Sequence, residues 1–257
     1  MTISRQFNKN SKCLSDKVCR FFYEEALNNK ALSLILNKVN SFHISNIYAF
    51  GGVVRDIELR NTPSDIDLVF NGDRDSFNLL LNYLNSEKIA KNKFGGFRIE
   101  TDGLDIDLWH FEDTWAFLNN KIETNDNHIN NILKTTFFNW DAVLFDLKKQ
   151  NIIYNDDYCF NLKNKYLKIN LYDNPNVIGS FSRIIKNIFH NQANYLSEDV
   201  LIYLYKSFED YSLSEIREFY LDKNKKCKLQ TRQLINLYDK VNFTREYNQC
   251  LKNNRDE

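Results

Sequence analysis

The sequence predicts an α+β protein in which a mixed or antiparallel sheet with helices, over residues 1–172, precedes a small all-helical domain over 173–257. Strand-like and helical segments alternate in the first part, whereas the apolar periodicity from Asn176 onward is helical. Asp173-Asn174-Pro175 marks the change and contains one of only two prolines. A chain of 257 residues is long enough for two such domains.

Apolar spacing and turn residues locate the individual elements. Helices are predicted at 15–40 (one helix or two), 74–86, 113–123, 128–135, 177–192, 197–208, 213–222 and 228–241. Asp102-Gly103 separates two alternating segments, 97–101 and 104–109, which predicts a β-hairpin. A second hairpin is predicted from segments 143–147 and 152–154.

A glycine pair stands out in the first part of the chain. Gly51 and Gly52 follow the apolar segment 47–50, and the run 51–70, GGVVRDIELRNTPSDIDLVF, predicts a tight turn, a short helix, a loop and a second strand. Glycines let backbone N–H groups approach an anion closely, and a helix N-terminus favours negative charge. The pair therefore predicts a phosphate-binding turn.

Acidic residues recur on two of the predicted strands. Asp65 and Asp67 are two residues apart, so they project from the same face and can hold a divalent cation. A third carboxylate usually comes from a neighbouring strand, and Asp105 and Asp107 share one face of the predicted hairpin. We expect Asp107 to be the third ligand, with Asp105 as its substitute. Two metal ions held in this way activate an attacking oxygen and stabilise a leaving pyrophosphate.

Other polar and aromatic residues leave alternatives open. Arg55 either binds phosphate oxygens through its forked guanidinium or forms a surface ion pair with Asp56 or Glu58. The histidines lack companions at metal-ligand spacing and are expected to be structural or exposed, and the tryptophans are expected to lie in the core or between domains. The lysines at 223, 225, 226 and 228 form either a solvated loop or a contact to an RNA backbone.

Charge and cysteine content constrain the function class only weakly. The chain has 34 basic and 34 acidic residues, but residues 161–257 hold 16 basic and 12 acidic ones, which leaves 18 and 22 in the first 160. The C-terminal part is therefore mildly basic. Five cysteines without metal-ligand spacing indicate reduced thiols in a cytoplasmic protein, and no apolar run predicts a leader or a membrane span.

The run 51–70 resembles the DNA polymerase beta-type nucleotidyltransferase superfamily, and within it the head domain of class II CCA-adding enzymes and bacterial poly(A) polymerases. It follows that branch's glycine-glycine-x-x-arginine-aspartate opening and its later Asp-x-Asp strand. The resemblance implies that Asp65, Asp67 and Asp107 are catalytic residues and ligands of Mg²⁺ or Mn²⁺. It also implies that Gly51, Gly52 and Arg55 bind a nucleoside triphosphate.

Downstream the resemblance is partial. It places Asp141 where the family has an asparagine near the nucleotide sugar, and Thr136 and Phe137 where the family has an Arg-Asp pair. Segment 182–188 is similar to the family's neck helix, which implies nucleotide contacts from Arg183 and Lys186. The family's base-selecting Glu-Asp-x-x-Arg motif has no equivalent, and the 67 residues after 190 are too few for its usual tRNA-holding body and tail.

These observations predict a metal-dependent transfer of a nucleoside monophosphate from a triphosphate to an acceptor hydroxyl, with a tRNA-like RNA 3′ end as the favoured acceptor. The branch resemblance favours RNA, whereas the short tail and neutral total charge favour a small molecule or a protein. The rival hypothesis is a non-catalytic module that binds nucleotide, RNA or a partner, and the residues Thr136 and Phe137 are its main support.

Overall fold

A computed structural model describes residues 2–41, 46–84, 87–92, 95–123, 129–223 and 229–253. The chain divides into two compact units, Met1–Cys159 and Phe160–Glu257. The domain boundary predicted at 172–173 falls within the second unit and stays a prediction.

The first unit is built on a seven-stranded sheet with the order β3-β4-β5-β2-β1-β6-β7 over the described residues. Every strand pair is antiparallel except β2 with β5, which is parallel. The strands are β1 (Asn46–Phe50), β2 (Ile66–Asn71), β3 (Lys88–Lys91), β4 (Phe97–Glu100), β5 (Ile106–His110), β6 (Val143–Asp146) and β7 (Asn151–Tyr154). Both predicted hairpins, β4–β5 and β6–β7, are confirmed.

Helices cover this sheet. They are α1 (Thr2–Ala26), α2 (Lys30–Ser41), α3 (Gly52–Glu58), α4 (Arg74–Tyr83), α5 (Trp115–Leu118) and α6 (Asn131–Thr135), with short 3₁₀ helices at Phe111–Asp113 and Asn139–Asp141.

Each face of the sheet has its own apolar layer. On one face, Phe22 of α1 stacks on Phe145 of β6, with ring centroids 5.8 Å apart and an interplanar angle of 15°. On the other face, Tyr48 and Val69 join Ile132 and Leu133 of α6 in a buried cluster. Because side chains alternate along a strand, the odd-numbered residues of β2 and β5 belong to this second face.

The second unit is mainly helical. Helix α7 (Tyr158–Lys163) crosses the division between the units and is followed by α8 (Val177–Phe189), α9 (Glu198–Asp210), α10 (Leu213–Lys223) and α11 (Thr231–Asn253). A two-stranded parallel ladder joins β8 (Tyr166–Leu167) to β9 (Tyr195–Leu196). The helices predicted from residue 177 onward are therefore confirmed, and the last one extends beyond its predicted end at 241.

Some predicted helices differ in length. The prediction over 15–40 corresponds to two helices, the first of which begins at Thr2, and the prediction over 113–123 corresponds only to Trp115–Leu118. That helix ends because Asn120 adopts a left-handed φ of 51°. No helix among the described residues has the length and apolar character needed to cross a membrane.

Candidate active site

The carboxylates predicted to bind metal come together where the parallel strands β2 and β5 begin. We call this group, Asp65, Asp67, Asp105 and Asp107, the acidic edge. Asp67 of β2 and Asp107 of β5 are register partners, and the backbone N–H of Ile66 donates to the carbonyl of Asp105 at 2.9 Å. Asp65 and Asp105 therefore lie one step before the paired strands and on the same face as Asp67 and Asp107. The structure brings together all four aspartates that the sequence singled out.

The strand pattern separates these carboxylates from the core. Ile66, Leu68, Ile106 and Leu108 alternate with them and are fully buried on the opposite face. Further along the same strands, on the carboxylate face, Val69 is buried in an apolar cluster and Trp109 packs against that cluster. The acidic edge is therefore an open, polar end of an otherwise apolar layer.

The side chain of Arg98 lies among these carboxylates. Arg98 of β4 is the register partner of Asp107, so its side chain is on the same face. Its Nη1 lies 2.5 Å from Asp107 Oδ2 and 3.7 Å from Asp65 Oδ2, and its Nη2 lies 2.9 Å from Asp105 Oδ2. One guanidinium thus makes ion pairs with Asp65, Asp105 and Asp107.

Sequence reasoning missed Arg98 as a functional residue. It was visible only as one residue of an alternating strand segment, 97–101, without a local motif. The signal that identifies it is the register of the β4–β5 hairpin, which sets it directly opposite Asp107.

Burial and charge act against each other at this site. Burial raises the pKa of Asp107, and the lowering by Arg98 does not cancel this because Asp65 and Asp105 add like charge. Burial opposes the charge of Arg98, but the carboxylates of Asp107 and Asp105 outweigh it, and the pKa of Arg98 is raised. Asp107 has the least exposed side chain of these three aspartates, at 18%, against 39% for Asp65 and 34% for Asp105.

Asp105 and Asp107 differ in their other partners. The backbone N–H of Thr101 donates to Asp105 Oδ1 at 3.1 Å, so Asp105 closes the turn between β4 and β5. Asp107 lies within its strand, opposite Asp67. This difference supports Asp107 as the third carboxylate of the site.

The glycine turn lies beside the acidic edge. β1 is antiparallel to β2 and Ala49 pairs with Leu68, so the turn after Phe50 is next to the beginning of β2. Gly51 has a φ of 69° and a ψ of −126°, a conformation open to glycine and costly for other residues. The turn leads directly into α3, as the sequence predicted.

Arg55 belongs to a buried ion-pair network beneath this turn. Its Nε donates to Asp56 at 2.8 Å and its Nη1 donates to Asp141, and all three side chains are nearly inaccessible. Burial opposes the charge on Arg55, yet Asp141 and Asp56 outweigh it and raise the pKa of the guanidinium. Of the two interpretations of Arg55, the ion pair with Asp56 is formed, but it is internal rather than on the surface.

Asp141 and the residues before it are tied to local structure. Asp141 packs next to Gly51, because a Cβ built on that glycine would lie 4.0 Å from the Asp141 side chain. Thr136 Oγ1 lies 3.1 Å from the carbonyls of both Leu133 and Phe138, and the Phe137 ring packs against that of Phe138. Thr136 and Phe137 are both buried. They stabilise the loop between α6 and β6.

The two predicted neck residues lie in the second unit. Arg183 is exposed on α8, and its Nη2 donates to Ser180 Oγ at 3.1 Å. Lys186 lies in the last turn of the same helix. In the lysine group, Lys223 ends α10, and Lys225, Lys226 and Lys228 lie outside the described residues.

One of the histidines and one of the tryptophans lie in the core, as expected. His110 is buried, with Nε2 2.7 Å from the carbonyl oxygen of Gly72, and Trp140 is fully buried. Both are structural. His43 and His128 lie outside the described residues.

The donor set suits a divalent cation, but the side chains are not in a ready-made metal arrangement. Aspartate oxygens are the ligands that Mg²⁺ and Mn²⁺ prefer, and adjacent strands set Asp67 beside Asp107. In the part of the chain that the structure describes, no three His, Cys, Asp or Glu side chains are grouped as a metal site. Arg98 contacts the oxygens that a cation would need.

The sequence matches no family model and no curated protein. Solved structures do match. A CCA-adding enzyme in complex with CTP has a TM-score of 0.56 and 21% sequence identity, over 82% of this chain and 52% of that one. The fold is that of the CCA-adding enzymes. The Thermotoga maritima CCA-adding enzyme complexed with tRNA-CCA has a TM-score of 0.54 and 20% identity, over 82% of this chain and 51% of that one.

The likeness to CCA-adding enzymes confirms the predicted α+β fold, in which a mixed sheet with helices is followed by a helical C-terminal part. An apo CCA-adding enzyme gives a similar TM-score of 0.54 at 20% identity. The present chain spans about half the length of these enzymes.

Proposed function

We propose that this protein is a metal-dependent nucleotidyltransferase that moves a nucleoside monophosphate from a nucleoside triphosphate to an acceptor hydroxyl. The observation that carries the proposal is the register pairing of Asp67 with Asp107 beside the Gly51 turn, on the fold of CCA-adding enzymes. A paired carboxylate edge next to a glycine turn combines the two things this chemistry needs, a cation site and space for a triphosphate.

Asp65, Asp67 and Asp107 are the residues that would hold Mg²⁺ or Mn²⁺, with Asp105 as a substitute for Asp107. Bound there, the ions would neutralise charge at the reacting phosphate and on the pyrophosphate that leaves. In the reaction the acceptor oxygen bonds to the α-phosphorus, the bond to pyrophosphate breaks, and the acceptor hydroxyl loses its proton. Asp107, which lies beside Asp67 on the neighbouring strand, is placed to accept that proton.

The glycine turn supports the donor side. Gly51 and Gly52 carry no side chain of their own at the entrance of α3, so a triphosphate can approach the backbone there. Arg55 and Asp141 hold the turn in place from below. Their role is then to position the turn, and any direct contact of Arg55 with phosphate would come in addition to its two ion pairs.

An RNA 3′ end is the acceptor we favour. The second unit carries the excess of basic residues, with 16 Lys and Arg against 12 Asp and Glu over residues 161–257, and Arg183 is exposed on α8. A small molecule or a protein hydroxyl is the alternative within the same chemistry. Nucleotide contacts from Arg183 and Lys186 belong to this proposal.

The test is incubation of the full chain with total RNA, Mg²⁺ and each of the four α-labelled nucleoside triphosphates in turn. We expect label at RNA 3′ ends with at least one nucleotide, and loss of that label with a chelator or in Asp67→Asn. Asp113→Asn is the matched control, because Asp113 is an aspartate of the same unit that pairs with Arg74 away from the acidic edge. Pyrophosphate release without RNA labelling would transfer the proposal to a different acceptor.

A second candidate is a non-catalytic module that keeps the fold. The position of Arg98 favours this candidate, because a guanidinium supplied by the chain itself neutralises carboxylates that otherwise repel one another. This candidate predicts no pyrophosphate release with any triphosphate and acceptor mixture, and nucleotide or RNA binding that is unchanged in Asp67→Asn and Asp107→Asn.

A further inference from the structure

We propose that Arg98 is the resident cation of the acidic edge, and that a divalent ion binds there by displacing its guanidinium. The inference rests on the proposed metal site and concerns how that site is regulated. Arg98 is thus a positioning residue with two states, one on the carboxylates and one released from them.

Arg98 and a metal ion would compete for the same carboxylate oxygens. Arg98 Nη1 lies 2.5 Å from Asp107 Oδ2 and 3.7 Å from Asp65 Oδ2. A cation ligated by those oxygens would lie about 2.1 Å from each of them, where like charge and the space taken by the guanidinium exclude simultaneous contact. Metal ligation and the Arg98 ion pairs are therefore alternatives.

The negative charge of the four aspartates also favours the binding of a divalent cation. The four aspartates of the edge carry up to four negative charges against one from Arg98. With Arg98 in place the group keeps a net negative charge, so a divalent cation is still attracted to it. The exchange of Arg98 for a divalent cation is favoured by this charge, and it is opposed by the ion pairs that are lost and by the partial dehydration of the ion.

The Arg98 side chain is open enough to solvent to leave the carboxylates. The Arg98 side chain is 35% exposed, and those of Asp65 and Asp105 are exposed to a similar degree. Ion pairs open to solvent are weakly held, and an arginine stem has several rotatable bonds. This contrasts with Arg55 in the same unit, whose ion pairs with Asp56 and Asp141 are buried. Arg98 is therefore released more easily than Arg55, although Asp107, its nearest partner, is only 18% exposed.

The test is Mn²⁺ binding, measured by electron paramagnetic resonance on the full chain without nucleotide. Arg98→Gln should bind Mn²⁺ at least tenfold more tightly than the natural chain, and Arg98→Lys, which keeps the charge, should stay close to it. Arg74→Gln is the matched control, because Arg74 also pairs with carboxylates of the first unit but at Asp113 and Glu112, and its Mn²⁺ affinity should not change.

The outcomes separate this inference from the proposed function. Mn²⁺ binding that is lost in Asp67→Asn but equal in the natural chain and Arg98→Gln overturns the role of Arg98 and leaves the metal site standing. Failure of both proteins to bind Mn²⁺, or binding that persists in Asp67→Asn, overturns the metal site and the inference with it.

A measurement on the natural chain covers the case in which Arg98→Gln does not fold. In nitrogen NMR, the side-chain Nε–H signal of Arg98, assigned from its absence in Arg98→Lys, should shift on saturation with Mg²⁺, whereas that of Arg74 should not. An Arg98 signal that is unchanged at saturating Mg²⁺ would show that the guanidinium stays in place, and the inference would be wrong.

Discussion

Asp67 and Asp107 are register partners on adjacent parallel strands, although 40 positions separate them in the sequence. β2 and β5 form the single parallel pair recorded in the described sheet, and this pairing brings the two carboxylates side by side on one face. The proposed chemistry depends on this relationship more than on either residue alone.

Removing either carboxylate tests that dependence. Asp67→Asn and Asp107→Asn should each lower nucleotidyl transfer by about a hundredfold or more, because the loss of a charged group at a reacting phosphate removes transition-state stabilisation. The double variant should be little worse than the worse single one, because residues that act as a unit are not additive. Rates of pyrophosphate release from the four proteins give the answer, and independent, multiplying effects would contradict a shared site.

The Arg55–Asp141 pair should behave as a structural unit. Breaking it by Arg55→Met removes the guanidinium from two buried carboxylates, those of Asp141 and Asp56, and should lower the free energy of unfolding by about 3–5 kcal/mol. The double variant Arg55→Met/Asp141→Leu should lose less than the sum of the single losses. Urea unfolding of all four proteins measures this coupling.

The exposed pair Lys17–Glu58 is the control for this cycle. Its side chains are 39% and 36% exposed, and its removal should cost about 1 kcal/mol or less. Additive losses at Arg55 and Asp141, or a cost no larger than that of the exposed pair, would show that Arg55 is not held as the structure indicates.

Much of the site was predictable from local sequence. The glycine pair, the Asp-x-Asp spacing and the Asp102-Gly103 turn each carry a short-range signal, and each corresponds to the expected element. Arg98 carries no such signal. Its role depends on the register of one hairpin and on a parallel pairing between β2 and β5, which are contacts between residues distant in the chain.

The ion pair between Arg55 and Asp141 could likewise not be predicted from the sequence. Asp56 is its neighbour and was considered, but Asp141 lies 86 positions away and becomes a partner only when the 3₁₀ helix at Asn139–Asp141 packs under α3. The length of helix α5 was also wrong in the prediction, because a left-handed Asn120 ends it early.

Gly51 should tolerate no side chain. Its φ of 69° lies in the left-handed region, and open space of 4.0 Å around a built Cβ means that the cost is backbone strain, not a clash. Gly51→Ala should lower stability by about 1–3 kcal/mol and also lower transfer activity. Gly95→Ala is the control, because Gly95 also has a positive φ, of 94°, where alanine would be strained, and it lies in a different loop. An equal loss of activity in both variants would contradict a special role for the Gly51 turn.

The Arg74–Asp113 pair predicts a small, pH-dependent contribution to stability. The hydrogen bond from Arg74 lowers the pKa of Asp113 in the folded state, so this contribution is present above the unfolded pKa of about 3.9 and is lost as the pH falls through the lower folded value. Because Arg74 is 47% exposed, Arg74→Ala should cost about 1 kcal/mol or less at pH 7. Thermal unfolding of both proteins over a series of pH values from 7 downward measures it, and a difference that does not shrink as the pH falls would contradict this assignment.

Anomalous scattering from crystals grown with Mn²⁺ and a non-reactive nucleoside triphosphate analogue tests the central claim most directly. We expect a Mn²⁺ peak within about 2.5 Å of carboxylate oxygens of both Asp67 and Asp107, with the Arg98 guanidinium away from Asp107 and the triphosphate beside Gly51. Crystals that hold the analogue but show no metal at these aspartates, with Arg98 still bound to Asp107, would contradict it.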